Sequence, residues 1–299
     1  MTPETSRPIT SQLLPDAQLA PFMAAYQRST SKSRLNLFAA FACLAVLAWL
    51  ASWVAEVNLA TFFGKIDRLF DYFSRLSHLD NGAYVWTDPV EWFWGLRKWL
   101  RLLGETLLIA YSGTIVAVLF AVVLSFLAAA NLNQNSFLRI SVKRLLEFFR
   151  TVPELVFALI FVVAFGVGPL PGILAIIIHT TGALGKLFSE LVENIEMGPI
   201  EGLTASGAGK IATARYGAFP QVLPGIISYT LLRFESNVRS ATIMGFVGAG
   251  GIGDELMLSI RRFYYADISA IICIIIVTVF AIDIFTGQLR RWVMGKVEA

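Results

Sequence analysis

Among the ionisable and amide side chains within otherwise apolar stretches are Glu154, His179, Arg233, Glu235, Asn237 and Arg239. A charge inside a membrane span costs roughly 2.5–3.5 kcal/mol on insertion scales, so such groups face a bundle interior or a water path. An arginine placed there suits an oxyanion, because its planar fork of N–H donors meets two oxygens at once. Glu235 and Arg239 are four apart and share a helix face. Arg233 lies about 160° around the helix from Glu235 and needs another partner. Glu147, Arg150 and Glu154 recur at spacings of three and four, which predicts a cross-helix pair between Glu154 and Arg239 or Arg233. Two roles compete for the arginines. Either they are neutralised and fix helix register, or one stays open to an anion; Arg239 is the better candidate for the second. His179 fits an interhelical hydrogen bond better than a ligand contact.

Gly248, Gly250 and Gly253 satisfy a Gly-x-Gly-x-x-Gly pattern, with Gly251 inside it. A dinucleotide loop needs a preceding strand. Here an apolar helical run precedes it, so the pattern predicts a tight reversal or gate, whose amides could also cradle an anion. The chain has no Gly-x-x-x-x-Gly-Lys-Ser/Thr, so ATP and Mg are not expected to bind it. No nucleophile–base pair stands out, which argues against a membrane enzyme. Two cysteines, Cys43 and Cys273, and two histidines, His78 and His179, do not assemble a metal site.

The elements that must carry these residues are helices. Of 299 residues, 56% are hydrophobic and 15% charged, and mean hydropathy is +0.67. Soluble domains carry about 25% charged residues. A bilayer core takes about 20 apolar residues in a helix, and six runs qualify: Leu35–Ala55, Gly104–Ala130, Leu146–Val167, Pro169–Glu190, Gln221–Gly245 and Asp267–Gln288. The third and fourth meet at Gly166-Val-Gly-Pro169, a hairpin with almost no loop. Net charge is a mild +3 with no basic run, so no nucleic acid is expected. Thirteen lysines and arginines fall on the side of both termini and eight on the other, which places both termini in the cytoplasm.

Between the first two spans, Phe62, Phe63, Ile66, Leu69, Phe70, Phe73 and Leu76 recur at helical spacing and predict an interfacial helix. Asp88, Pro89 and Glu91 predict a capping box opening a second helix. Trp92, Trp94 and Trp99 then read as an interface belt. The stretch after the fourth span, about 191–220, is mostly non-apolar. A short helix is predicted near Pro199, interrupted by Gly202, Gly207 and Gly209, and shaped to enter a partner's groove.

This stretch resembles the cytoplasmic loop signature of ABC-importer permeases: Glu-Ala-Ala, three residues, Gly, nine residues, Ile, one residue, Leu-Pro. Glu201, Gly207 and Phe219-Pro220 fit its spacing throughout. Gly202 and Leu203 replace the alanines, Gly217 the isoleucine and Phe219 the leucine. Thr151-Val-Pro-Glu-Leu-Val, Ile178-His-Thr-Thr-Gly, Pro220-Gln-Val-Leu-Pro224 and Arg233-Phe-Glu-Ser-Asn-Val-Arg-Ser240 through Gly253 are similar to the phosphonate importer permease subunit. The resemblance covers roughly residues 100–292. It implies an all-α polytopic membrane protein with a five-helix, methionine-importer-like core and one extra first span. It also implies a homodimer in the bacterial inner membrane, two ATPase subunits that bind ATP and Mg, and a periplasmic substrate-binding protein. Glu201, Gly202, Thr204, Ala205, Gly207, Phe219 and Pro220 would couple the chain to the ATPase. The expected organisation is a cytoplasmic tail (1–34), an extra span (35–55), an interfacial segment (56–103), a permease core (104–288) with its coupling loop (191–220), and a cytoplasmic tail (289–299). Rival cargoes are phosphite, phosphate or an amino acid. An ion-coupled secondary transporter is the rival class, disfavoured because no internal repeat is visible.

Overall fold

The computed structural model describes residues 16–55 and 59–295. The described residues are helical apart from turns and a single bridge between His78 and Tyr84. Contacts divide the chain into residues 1–70 and 71–299.

In the first unit, α1 (Asp16–Val54) begins within the stretch expected to be a polar tail. Its segment Asn36–Val54 is long and apolar enough to cross a membrane. The described side chains there are exposed except for half-buried Ser52, whose hydroxyl donates back to the Trp49 carbonyl at 2.8 Å. A lipid-facing helix must satisfy its polar groups internally in this way. A short α2 (Leu59–Gly64) follows, and α3 (Ile66–Leu76) crosses the boundary between the units. The stretch expected to be one amphipathic helix is therefore broken at Lys65: Phe62 and Phe63 fall in α2, and Ile66, Leu69, Phe70, Phe73 and Leu76 in α3.

In the second unit, Asp88 Oδ1 accepts from the amides of Val90 and Glu91 and caps α4 (Pro89–Trp92). The second half of the expected capping box is diverted, because the Glu91 carboxylate accepts from Asn81 Nδ2 at 3.0 Å. The helix closes after one turn, and α5 (Leu96–Ala128) starts a full turn or more before the expected Gly104. The tryptophans, expected as an interface belt, make contacts within the protein. Trp99 is buried, while the ring N–H groups of Trp92 and Trp94 donate to Ser269 and Asp267. Both acceptors lie in the first turns of α13 (Tyr265–Gly295).

The third apolar run is not one helix. Val152 and Pro153 separate α6 (Ser136–Thr151) from α7 (Glu154–Phe165), which turns away by 84°. Proline removes a donor and drives the preceding residue extended; Val152 has ψ 123°. The expected hairpin at Gly166–Pro169 is present, with Gly166 and Gly168 at positive φ before α8 (Pro169–Glu193). The fifth run starts earlier than Gln221. A helical turn at Lys210–Thr213 runs through a π-turn at Ala214–Ala218 into Phe219–Met244, and Pro220 and Pro224 follow this extra-residue turn. Single π-turns of this kind absorb irregularity in a helix and recur at functional sites. Among the described residues, four helices are long and apolar enough to span a membrane, or up to six if each bent pair counts as one span.

Small residues let the long helices approach. A Cβ on Gly113 of α5 would stand 2.6 Å from Ile176 of α8, and one on Gly182 of α8 would stand 2.6 Å from the Arg150 backbone nitrogen. At the far end of Phe219–Met244, a 3-10 turn (Gly245–Val247) leads into the glycine loop. That loop then enters a helix at Ile252–Arg262, bent by 46°. Gly248, Gly250 and Gly251 all have positive φ. The Gly248 carbonyl accepts from the Gly168 amide at 2.8 Å, and the Thr106 hydroxyl accepts from the Ile252 amide at 2.9 Å. The glycines therefore build a chain reversal pinned to the α7–α8 turn and to α5.

A Cβ on Gly253 would sit 1.8 Å from the Thr242 carbonyl oxygen, a backbone atom that cannot rotate away. Gly253→Ala should therefore lower the unfolding midpoint, at a cost of about 1–3 kcal/mol or more. Gly202→Ala, whose Cβ meets nothing within 4 Å, should be neutral or slightly stabilising by helix propensity. Thermal unfolding of both purified variants checks the contrast.

Candidate transport site

We label the turn Gly198–Ala205 α9, Lys210–Thr213 α10, Phe219–Met244 α11 and Ile252–Arg262 α12. The α9 helix projects at one end of α11, and the glycine loop lies at the other. At 1.5 Å per residue, the 26 residues of α11 separate them by about 39 Å.

Pro199 occupies the first turn of α9, where its missing donor costs nothing. The helix ends in a Schellman motif: the Gly207 amide donates to the Thr204 carbonyl and the Ala208 amide to the Leu203 carbonyl, both at 3.0 Å. Gly207 has φ +85°, which is why glycine stands there. Glu201 and Gly202 face outward, while Ile200 is buried. Thr204 turns its hydroxyl back to the Ile200 carbonyl at 2.8 Å. Gly217 explains one departure from the family signature. A Cβ there would come within 2.8 Å of Ile200 and 3.1 Å of Leu203, so the π-turn packs directly on α9.

Gln221 ties the arrangement together, and its side chain was not among the residues singled out from sequence. Its amide nitrogen donates to the carbonyls of Gly217 and Glu196, and its oxygen accepts from the Glu196 amide. The α9 mount is thereby fastened to the first turn of α11, beside Phe219 and Pro220. Its amide, exposed beside the signature, gave no signal in the sequence, because its partners are set only by the fold.

Asn237 is fully buried at the meeting of three helices. Its Nδ2 donates to Thr114 of α5 at 2.8 Å, and its Oδ1 accepts from Thr180 of α8 at 3.2 Å. Thr114 passes its proton to the Ala110 carbonyl at 2.6 Å. Arg233 Nε donates to the Thr180 hydroxyl at 3.4 Å, which extends the chain by one link. Threonine patterns on α5 gave no signal for this network, because their register against α11 is a tertiary fact.

The expected pair of Glu154 with an arginine is replaced by other contacts among the described residues. Arg239 bonds Glu235 at 2.7 Å along its own helix. Glu154 accepts instead from the Ser240 hydroxyl. Adjacent positions on a helix point about 100° apart, so Ser240 meets α7 while Arg239 turns toward α13. His179 Nδ1 lies 3.1 Å from the Val152 carbonyl, freed where α6 breaks, and donates to it in that tautomer. Arg239 and Glu235 line a cavity of about 580 Å³ between α11 and α13, shared with Asp283, Ile275 and Phe280. Among the described residues no cluster of histidine, cysteine or carboxylate groups could hold a metal.

Residues 121–297 match the family described as binding-protein-dependent transport system inner membrane component. The chain belongs to that family. The permease is 41% identical over 199 residues to the phosphite transport system permease protein PtxC of Stutzerimonas stutzeri, covering 67% of this chain and 72% of the relative. It is 55% identical over 118 residues to PhnE2 of Escherichia coli (strain K12), a protein provisionally named as a cryptic phosphonate transport system permease. That match covers 40% of this chain and 97% of PhnE2. The fold is that of the methionine ABC transporter MetNI in an inward-facing conformation, with TM-score 0.57 and 20% identity over 69% of this chain and 98% of that one. The permease is thus a non-catalytic, multi-pass inner-membrane component of an ABC importer, and ATP belongs to its partner ATPase.

Asn237→Leu should leave the Thr180 hydroxyl without its acceptor and the Thr114 hydroxyl without its donor. Interhelical bonds in membranes average about 0.6 and reach about 1.7 kcal/mol each. The loss of two predicts a fall of roughly 1–3 kcal/mol, read as a lower unfolding midpoint in detergent, whereas Asn237→Gln should recover part of it.

Proposed function

We propose that the permease imports phosphonate-type anions as a homodimer, driven through α9 by two ATPase subunits and supplied by a periplasmic binding protein. The observation that carries this reading is α9 itself, a rigidly capped, outward-facing helix mounted on the first turn of α11. On this reading Glu201, Gly202, Thr204, Ala205 and Gly207 form the surface that enters the ATPase groove, and Phe219-Pro220 anchors it. The α9 end and both termini then face the cytoplasm, in keeping with the excess of lysine and arginine on that side. The glycine loop at Gly248, Gly250, Gly251 and Gly253 serves as the gate on the opposite face.

Cargo class is supported by the relatives, whose names specify phosphite and phosphonate, and by the guanidinium chemistry of the cavity. Arg239 gives one donor to Glu235 and has others to offer an oxyanion passing between α11 and α13. Arg233, Asn237 and His179 are structural on this reading, since each has a hydrogen bond to another helix or to a break in one. The phosphite relative keeps phosphite as a second cargo. Competition among phosphonate, phosphite and phosphate for ATP-driven uptake in proteoliposomes separates these readings.

Arg239→Ala should reduce uptake at least tenfold in a transporter that still assembles with its ATPase, while Arg239→Lys should retain an intermediate rate. Unchanged uptake in an assembled Arg239→Ala transporter would remove Arg239 from the path. Gly207→Val forces a β-branched residue to φ +85° and should uncouple transport: the ATPase still co-purifies less well than with wild type, and uptake falls at least tenfold. Normal uptake by that variant would remove α9 as the handle.

A further inference from the structure

A second cleft, unconnected with the cargo cavity, lies at the α9 end of the bundle. It holds about 560 Å³ and is walled by Phe126 from the last turns of α5, Leu132, Leu138 of α6, Ile211 and Phe219. Lys210 and Arg215 are the charged residues of its lining, and no carboxylate shares it. Neither cation takes part in the four ion pairs among the described residues. Arg215 rests over the Tyr216 ring, 5.4 Å from its centre, a contact that leaves its charge in place. The cleft also sits at a particular depth. Phe126 belongs to the last turns of one span, and Lys210 opens the helical run that leads into another. With α5 and α11 as spans, the apolar walls would run toward the hydrocarbon and the two cations would stand near the headgroups. Ile211 is 86% exposed there, a position that costs little against an acyl chain and more against water.

We propose that this cleft binds one anionic glycerophospholipid, its acyl chain along Phe126, Leu132 and Leu138 and its phosphate between Lys210 and Arg215. Basic pockets between spans take anionic headgroups through the same combination of charge and depth. A bare oxyanion would gain the two cations and nothing from the apolar walls. A lipid with a neutral headgroup would gain the walls and little from the cations. The occupant would also brace the π-turn that carries Gly217, so it bears on how firmly α9 is mounted.

The test uses the assembled permease–ATPase complex in detergent, titrated with phosphatidylglycerol or phosphatidylcholine and read by native mass spectrometry. Saturable binding of phosphatidylglycerol, at least tenfold tighter than that of phosphatidylcholine, is expected. The Lys210→Ala/Arg215→Ala double variant should lose at least tenfold in phosphatidylglycerol affinity. Leu132→Trp, which fills the cleft without altering charge, should also lose it, and this variant carries the test if the double variant does not assemble. Equal affinity for both lipids, or unchanged phosphatidylglycerol affinity in an assembled variant, would overturn the proposal. Displacement of the lipid by an equal concentration of inorganic phosphate would reassign the cleft to free oxyanions. Efficient crosslinking of Ile211→Cys to the ATPase or to a second copy, with no lipid retained, would reassign it to a protein contact.

Discussion

Inside a bilayer every polar group must find its partner within the protein, and Asn237 is where α5, α8 and α11 meet that demand together. Its amide has donor and acceptor both engaged, by Thr114 and Thr180, at a point with no exposure to solvent. An apolar interface between helices would tolerate a slip of one residue or one turn. A directional chain from Arg233 through Thr180 and Asn237 to Thr114 and the Ala110 carbonyl does not. Register at this point fixes the rest. It sets which face of α11 turns Ser240 toward α7 and which turns Arg239 toward the cavity against α13. It also holds small residues opposite bulky ones, as with Gly113 against Ile176.

From that fixed centre, α11 reaches the two ends of the bundle by different means. At one end a π-turn, two prolines and the Gln221 clamp join it to α9. At the other a 3-10 turn and three positive-φ glycines fold it back onto α5 and the α7–α8 turn. Regular helix is thus confined to the middle, and irregular backbone is kept where protein or water can satisfy it. On the function proposed here, a displacement of α9 by the ATPase bears on a rigid rod whose opposite end is the glycine gate. A coupling of two sites through one two-state element needs such a connection.

Much of this was legible in the residues. The apolar runs, the Gly166–Pro169 hairpin, the cap at Asp88 and the short helix at Pro199 all follow from local chemistry, and the order of motifs pointed to the family. The break at Val152-Pro153 was missed, because the hydrophobic run spans it and reads as one helix. Hydropathy measures where a chain can lie, not whether it bends there. The partners of Glu154, Arg239 and Asn237 were out of reach for another reason. Helical spacing says which residues share a face on one helix, whereas a cross-helix partner depends on the rotation of two. Glu235 and Arg239, a pair within one helix, were readable; Ser240 with Glu154 was not. Gln221 and Gly217 escaped because their roles exist only once the π-turn places them against the 194–200 segment.

The claim on which the account rests is that α9 is a handle held by a motor on the inner side of the membrane. A cysteine introduced at Glu201, probed with a membrane-impermeant thiol reagent in a background without Cys43 and Cys273, tests it most directly. Labelling in inside-out vesicles that is blocked by adding the partner ATPase is the predicted result. Labelling in right-side-out vesicles, or labelling indifferent to the ATPase, would contradict it.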